Sequence, residues 1–153
     1  MATVFGVNYS KKFIANPSEK VVGKEHSGKV RMAFDSYVFA ANVVAGANVI
    51  KLMKLPAGAK VVDCIVKCPS LGTTGIFELG YEANGVDIAD PNGFLVSTSI
   101  DAGGQAVLGV PTLASVAVFK EFSVETQVIL TQSEDTTAAL GLAIEVAIFY
   151  TME

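Results

Sequence analysis

From about Val30 to Tyr150 the chain alternates short apolar and polar positions and is interrupted by Gly, Pro and Asn, a period-2 pattern that predicts strands separated by turns. Val30, Met32, Phe34 and Val38 share one strand face, with Arg31, Asp35 and Tyr37 on the other. Asn42 to Asn48 reads as a loop, and Val49 to Leu55 alternates again, with Ile50 and Leu52 opposed to Lys51. Pro56-Ala57-Gly58 predicts a turn, because proline presets φ and glycine accepts positive φ. A strand from Lys60 to Cys68 follows, with Val62, Cys64 and Val66 inward and Pro69 as its end. After a turn at Ser70–Gly75, Ile76 to Tyr81 places Phe77, Leu79 and Tyr81 opposite Glu78.

Glu82 to Gly93 reads as a polar loop with a brief strand at Val86–Ile88, and Phe94 to Ile100 fits a strand or a helical turn. Ala102 to Gly109 is small and Gly-rich. Val116–Val124 and Thr126–Thr131 read as two strands, Ser133–Thr136 as a loop, and Leu140–Tyr150 as a closing strand. No stretch forms an amphipathic helix of three turns. Seven to nine strands at this spacing predict an all-β, antiparallel two-sheet sandwich, jelly-roll-like, over residues 29–153. Residues 1–28, broken by Asn8, Asn16-Pro17, Gly23 and Gly28, read as an extended N-terminal arm.

Composition sharpens this picture. The length of 153 residues suits one domain with its own core. Half of the residues are hydrophobic (51%) and mean hydropathy is +0.48, yet no apolar run reaches the ~20 residues of a membrane span. The excess apolarity is therefore assigned to the core and to subunit contacts. Residues 1–31 carry six Lys/Arg against two acids, whereas the remainder carries five against thirteen. Two readings of this basic arm stay open: docking on an acidic body, its own or a neighbour's, or a solvated terminus. The acidic body and the lack of aromatics among the lysines argue against nucleic-acid binding. The start, Met1-Ala2-Thr3-Val4, lacks a signal peptide's charged and apolar regions, which gives the expectation of cytoplasmic synthesis. Asn8-Tyr9-Ser10 fits a glycosylation sequon but is a chance match in that setting.

Catalytic chemistry finds little to work with. The single histidine, His26, lies in the arm, away from any Ser or Cys nucleophile, and the acids fall on loops or outward strand positions. Cys64 and Cys68, on one strand face, stand about 13 Å apart, too far for a disulfide, and read as small buried hydrophobes. Asp87, Asp90 and Asn92 could converge on a calcium ion, although the spacing is not that of an EF-hand and these residues also make ordinary turns. Gly72-Thr73-Thr74-Gly75 lacks the lysine and following helix of a phosphate loop and reads as a hairpin turn. The expectation is a non-enzymatic protein without cofactor or metal.

The run Lys54-Leu55-Pro56-Ala57-Gly58-Ala59-Lys60-Val61-Val62-Asp63, then Pro69-Ser70-Leu71-Gly72-Thr73-Thr74-Gly75 and Phe77-Glu78-Leu79-Gly80-Tyr81, resembles small virion structural proteins of tailed bacteriophages. Ala89 to Leu95 also looks like their mid-chain loop, so that the resemblance covers roughly residues 30–100. It implies a capsid decoration (cement) protein on the capsid exterior, bound to the major capsid protein and to itself, often as a trimer. It carries over no binding residues. The candidate partner-binding residues come instead from the arm: apolar anchors Val4, Phe5, Phe13 and Ile14, with Lys11, Lys12, Lys20 and Lys24 as charge partners. The competing readings are a tail, neck or head-fibre base protein, and a carbohydrate-binding jelly-roll module. The latter is disfavoured by the absence of Trp and by Tyr and Phe that mostly alternate into expected cores.

Overall fold

The closing strand of the chain is the spine of one sheet. In a computed structural model that describes residues 28–40, 49–69, 76–99, 106–108, 117, 119–132 and 140–152, nine strands form two antiparallel sheets. They are β1 (Val30–Val38), β2 (Val49–Leu55), β3 (Ala59–Cys68), β4 (Ile76–Tyr81), β5 (Asp90–Ser99), β6 (Ala106–Leu108), β7 (Glu121–Phe122), β8 (Thr126–Gln132) and β9 (Ala143–Thr151). A five-stranded sheet has the order β1-β9-β3-β6, with β7 also on β3, and a four-stranded sheet has the order β2-β8-β4-β5. Apart from β4 to β5 and β6 to β7, successive strands lie in opposite sheets. This alternation between two antiparallel sheets is the jelly-roll arrangement expected from the sequence.

The core lies between the sheets, where the pleat sends every second residue inward. Ile144, Val146 and Ile148 of β9, Cys64, Val66 and Cys68 of β3, Phe77 and Leu79 of β4, and Val128 and Leu130 of β8 are all buried. Phe94, Phe122 and Tyr81 close one region of it, Tyr81 and Phe122 edge-to-face with centroids 5.0 Å apart. Phe39 packs on Phe77 in another, at 6.1 Å.

Several sequence expectations are corrected. Val62 is only half-buried and Val61 is the inward residue, because a bulge between Val61 and Asp63 shifts the pleat by one position. Val86–Ile88 is not a strand but part of the loop before β5. That strand starts at Asp90 and runs through Pro91, which is tolerated because β5 is a sheet edge among the described residues, where the missing N–H breaks no ladder. Of the strand expected over Val116–Val124, the described residues hold only Glu121–Phe122, preceded by Phe119 at φ 66°. The segment instead bridges the two sheets. Ala117 N–H donates to Gly93 O of β5 (2.8 Å), and Phe119 N–H donates to Val61 O of β3 (2.7 Å). The turn after β2 is as expected, with Gly58 at φ 82°. The expected loops at Asn42–Asn48, Ser70–Gly75 and Ser133–Thr136 lie outside the described residues.

Candidate functional site

Strand β1 has the same alternation as β9 but the opposite burial. Its odd residues, Arg31, Ala33, Asp35 and Tyr37, lie on the inward side: Ala33 is paired with buried Ile148 and packs against the core. Its even residues therefore point away from the core. Val30, Met32, Phe34 and Val38 are 60%, 59%, 56% and 58% exposed. The register extends this apolar row across the outer sheet face, since Met32 is paired with Phe149 of β9, and Phe34 with Ala147, which faces Ile65 of β3 on its other side. Ser36, Glu145 and Lys67 form the next, polar row, closed by a Lys67–Glu145 ion pair at 3.2 Å. A shallow cleft lined by Lys67, Pro69, Ala143 and Glu145 adjoins it.

β1 is also the outer strand of its sheet, paired only with β9 among the described residues. Phe39, just past its end, donates N–H to Leu142 O (2.9 Å) and accepts from Gly141 N–H (2.8 Å). Ser36 N–H, by contrast, donates to its neighbour Asp35 Oδ1 at 2.8 Å. Odd residues thus face β9 through their backbone, and the even ones present N–H and C=O to the open side, as antiparallel geometry requires. A nine-residue edge without proline, lysine or bulge carries few of the features that usually keep strand edges from pairing; the inward-pointing Arg31 and Asp35 are the exceptions.

The loop between β4 and β5 is held by side chains. Asn84 Oδ1 accepts N–H bonds from Val86 (3.0 Å) and Asp87 (2.7 Å), and its Nδ2 donates to Asp87 Oδ2 (3.1 Å) and Thr126 Oγ1 (2.7 Å). Lys120 Nζ completes the network, 2.7 Å from Asp87 Oδ1, donating to Tyr81 OH (2.9 Å) and 4.9 Å from the Tyr81 ring centroid. The hydrogen bond from Lys120, with that from Asn84, holds the Asp87 carboxyl below its ordinary value. Burial pulls the Lys120 ammonium down, but the bonds to Asp87 and Tyr81 outweigh it and raise its pKa. Asp87, read as a possible cation ligand, is thus engaged by an internal cation. Among the described residues no group of three or more His, Cys, Asp or Glu could hold a metal ion. Exposed Val86, Ile88 and Phe119 flank this network in sequence.

Cys64 and Cys68 are free and buried; burial pushes both thiols up to about 12, with Asp63 adding to the effect at Cys64. The candidate arm residues Val4, Phe5, Lys11, Lys12, Phe13, Ile14, Lys20 and Lys24, and His26, lie outside the described residues. The outward row of β1 was not singled out as a site from sequence. Its signal was present in the shared face of Val30, Met32, Phe34 and Val38, with charged residues on the opposite face.

No protein-family model matches the chain, and no curated protein does. Solved structures do. A chain of the Cyanophage Pam1 capsid asymmetric unit superposes with TM-score 0.69 at 19% identity, covering 92% of this chain and 99% of that one. A chain of the capsid of Ralstonia phage GP4 superposes with TM-score 0.64 at 21% identity, covering 82% and 86%. The jelly-roll fold of this protein is one also found, over nearly a whole chain, in phage capsids.

Proposed function

We propose that this protein is a structural, non-enzymatic component of a phage virion that decorates and stabilises the capsid exterior by binding the major capsid protein and other copies of itself. The observation that carries this reading is the extent of the likeness to the Pam1 capsid chain, 92% of this chain and 99% of that one, so that the shared unit is nearly all of both chains and not a common sub-motif. The exposed apolar row of β1 supports it, since such a row is costly on a lone protomer and useful on a particle built of many copies. In this reading the basic arm, residues 1–28, reaches the major capsid protein through Val4, Phe5, Phe13 and Ile14, helped by Lys11, Lys12, Lys20 and Lys24. Contacts to the shell and between copies then reinforce each other through effective concentration. Trimers around three-fold positions are the expected oligomer.

The test is addition of the purified protein to bare shells of the same virus, read by cryo-electron microscopy. Density repeating over the shell surface is expected, and its loss after deletion of residues 1–28, with the sandwich still folded by circular dichroism. Normal decoration by the truncated protein would refute the role of the arm. Occupancy of one vertex alone would point to a neck or tail part, and no binding would overturn the decoration reading.

A further inference from the structure

We infer that the open edge of β1 pairs with β1 of a second copy, antiparallel and two-fold symmetric about Ala33, so that the five-stranded sheets of two protomers become one. This adds a two-fold contact, between neighbouring trimers, to the self-binding proposed above and rests on that reading.

The side chains of β1 favour a second copy as occupant. A two-fold contact brings residue i of one strand opposite residue j of the other and j opposite i. Centred on Ala33, it sets Arg31 against Asp35 twice on the inward side, and Met32 against Phe34 twice on the outward side. Both pairings are favourable across antiparallel strands. The backbone has the right phase. The even residues present their N–H and C=O to the open side, so Met32 and Phe34 would form the hydrogen-bonded pairs. Arg31 and Asp35 would then occupy the close, non-hydrogen-bonded positions. Inward charges on an edge normally repel a passing strand; in this single register they are matched, so the same residues that block indiscriminate pairing select a copy of this chain.

The size of the surface sets the strength. Edge-to-edge pairing of two nine-residue strands, each about 30 Å long at ~3.3 Å per residue, buries only their facing margins and adjoining side chains. That area is smaller than the roughly 800 Å² per partner of a stable complex. The contact is therefore weak between free protomers and strong once copies are tethered to a common surface.

Two measurements on the full-length protein test this. Sedimentation across a hundredfold concentration range should show association that R31D and D35R each weaken at least tenfold. An equimolar mixture of these two variants should restore it, because their charges complement one another across the two-fold. Oxidation of the A33C variant should give a disulfide-linked dimer. The native thiols supply little background, being buried and poorly ionised. Association unaffected by charge reversal, or a folded A33C protein that stays unlinked while F34C links, would overturn the proposed register. A monomer at every concentration together with no cross-link in A33C would overturn the contact itself, whether or not the protein decorates shells.

Discussion

Strands β9 and β1 lie side by side, both alternate apolar residues along one face, and they use that face in opposite ways. In β9 the row Ile144, Val146, Ile148 is sealed between the sheets. In β1 the row Val30, Met32, Phe34, Val38 looks outward while Arg31 and Asp35 take the inward side at the sheet margin. The difference is one of place in the sheet. A central strand has neighbours on both edges and a second sheet over its inner face. At the margin the inner face is only partly covered, so charged side chains can reach water there. Alternation therefore reports that a strand has two unlike faces, and its position decides which of them meets the core.

Substitutions can break or sharpen this contrast. Ile148→Ala should lower unfolding free energy by about 2–5 kcal/mol in urea titrations, because the site is fully enclosed and leaves a cavity. A cost under ~1 kcal/mol would mean that the β9 row is not the sealed one. On the other sheet, Gly80→Ala should cost about 1–3 kcal/mol. A Cβ there would collide with the Asp90 carbonyl oxygen and the Pro91 backbone, where β5 presses on β4 and only backbone could yield. Near the Lys120–Asp87 pair, Lys120→Met should cost about 1 kcal/mol at neutral pH, from the lost ion pair and ring contact. The pH dependence has a definite sign. The lowered Asp87 pKa adds stability above the ordinary carboxylate value of 3.8, lost as pH falls through the folded value. The raised Lys120 pKa adds stability below the ordinary 10.5, lost as pH rises through the folded value. The gap between wild type and variant should thus be widest between about pH 4 and 10 and close on either side; a gap constant with pH would assign the loss to packing. The smallest effect belongs to β1: Phe34→Ala should change stability by less than ~0.5 kcal/mol and reduce self-association at high concentration. A loss as large as that of Ile148→Ala would show the outward row to be covered within the protomer.

These contrasts also mark how far the fold was legible. The two-sheet jelly roll, the Gly58 turn and the inward Phe77, Leu79 and Tyr81 of β4 followed from alternation and turn chemistry, because that strand is enclosed between its neighbours and the opposite sheet. Val62 was misplaced because a bulge leaves no local signature where two identical valines, Val61 and Val62, stand side by side. Asp90–Gly93 read as loop because a proline forbids a central strand but not an edge, and edge position is set by distant parts of the chain. Phe119 looked like a strand residue, yet tertiary bonds to Val61 hold it at positive φ, where a bulky residue is strained. Of the candidate site, the arm lies outside the described residues. The β1 surface was written in the sequence as a two-faced strand, with nothing local to say which face would be wet.

The pairing of β1 with β9 joins the earliest and latest strands among the described residues, with Val30 opposite Thr151. While the polypeptide is still emerging from the ribosome, β1 has been made but its mate has not, and more than a hundred residues separate the two. Contacts so distant along the chain form late and slowly, and unpaired apolar strands are the species that aggregate meanwhile. Products truncated before β9 should accordingly be insoluble or captured by chaperones, because β1 and β3 then lack the strand that lies between them.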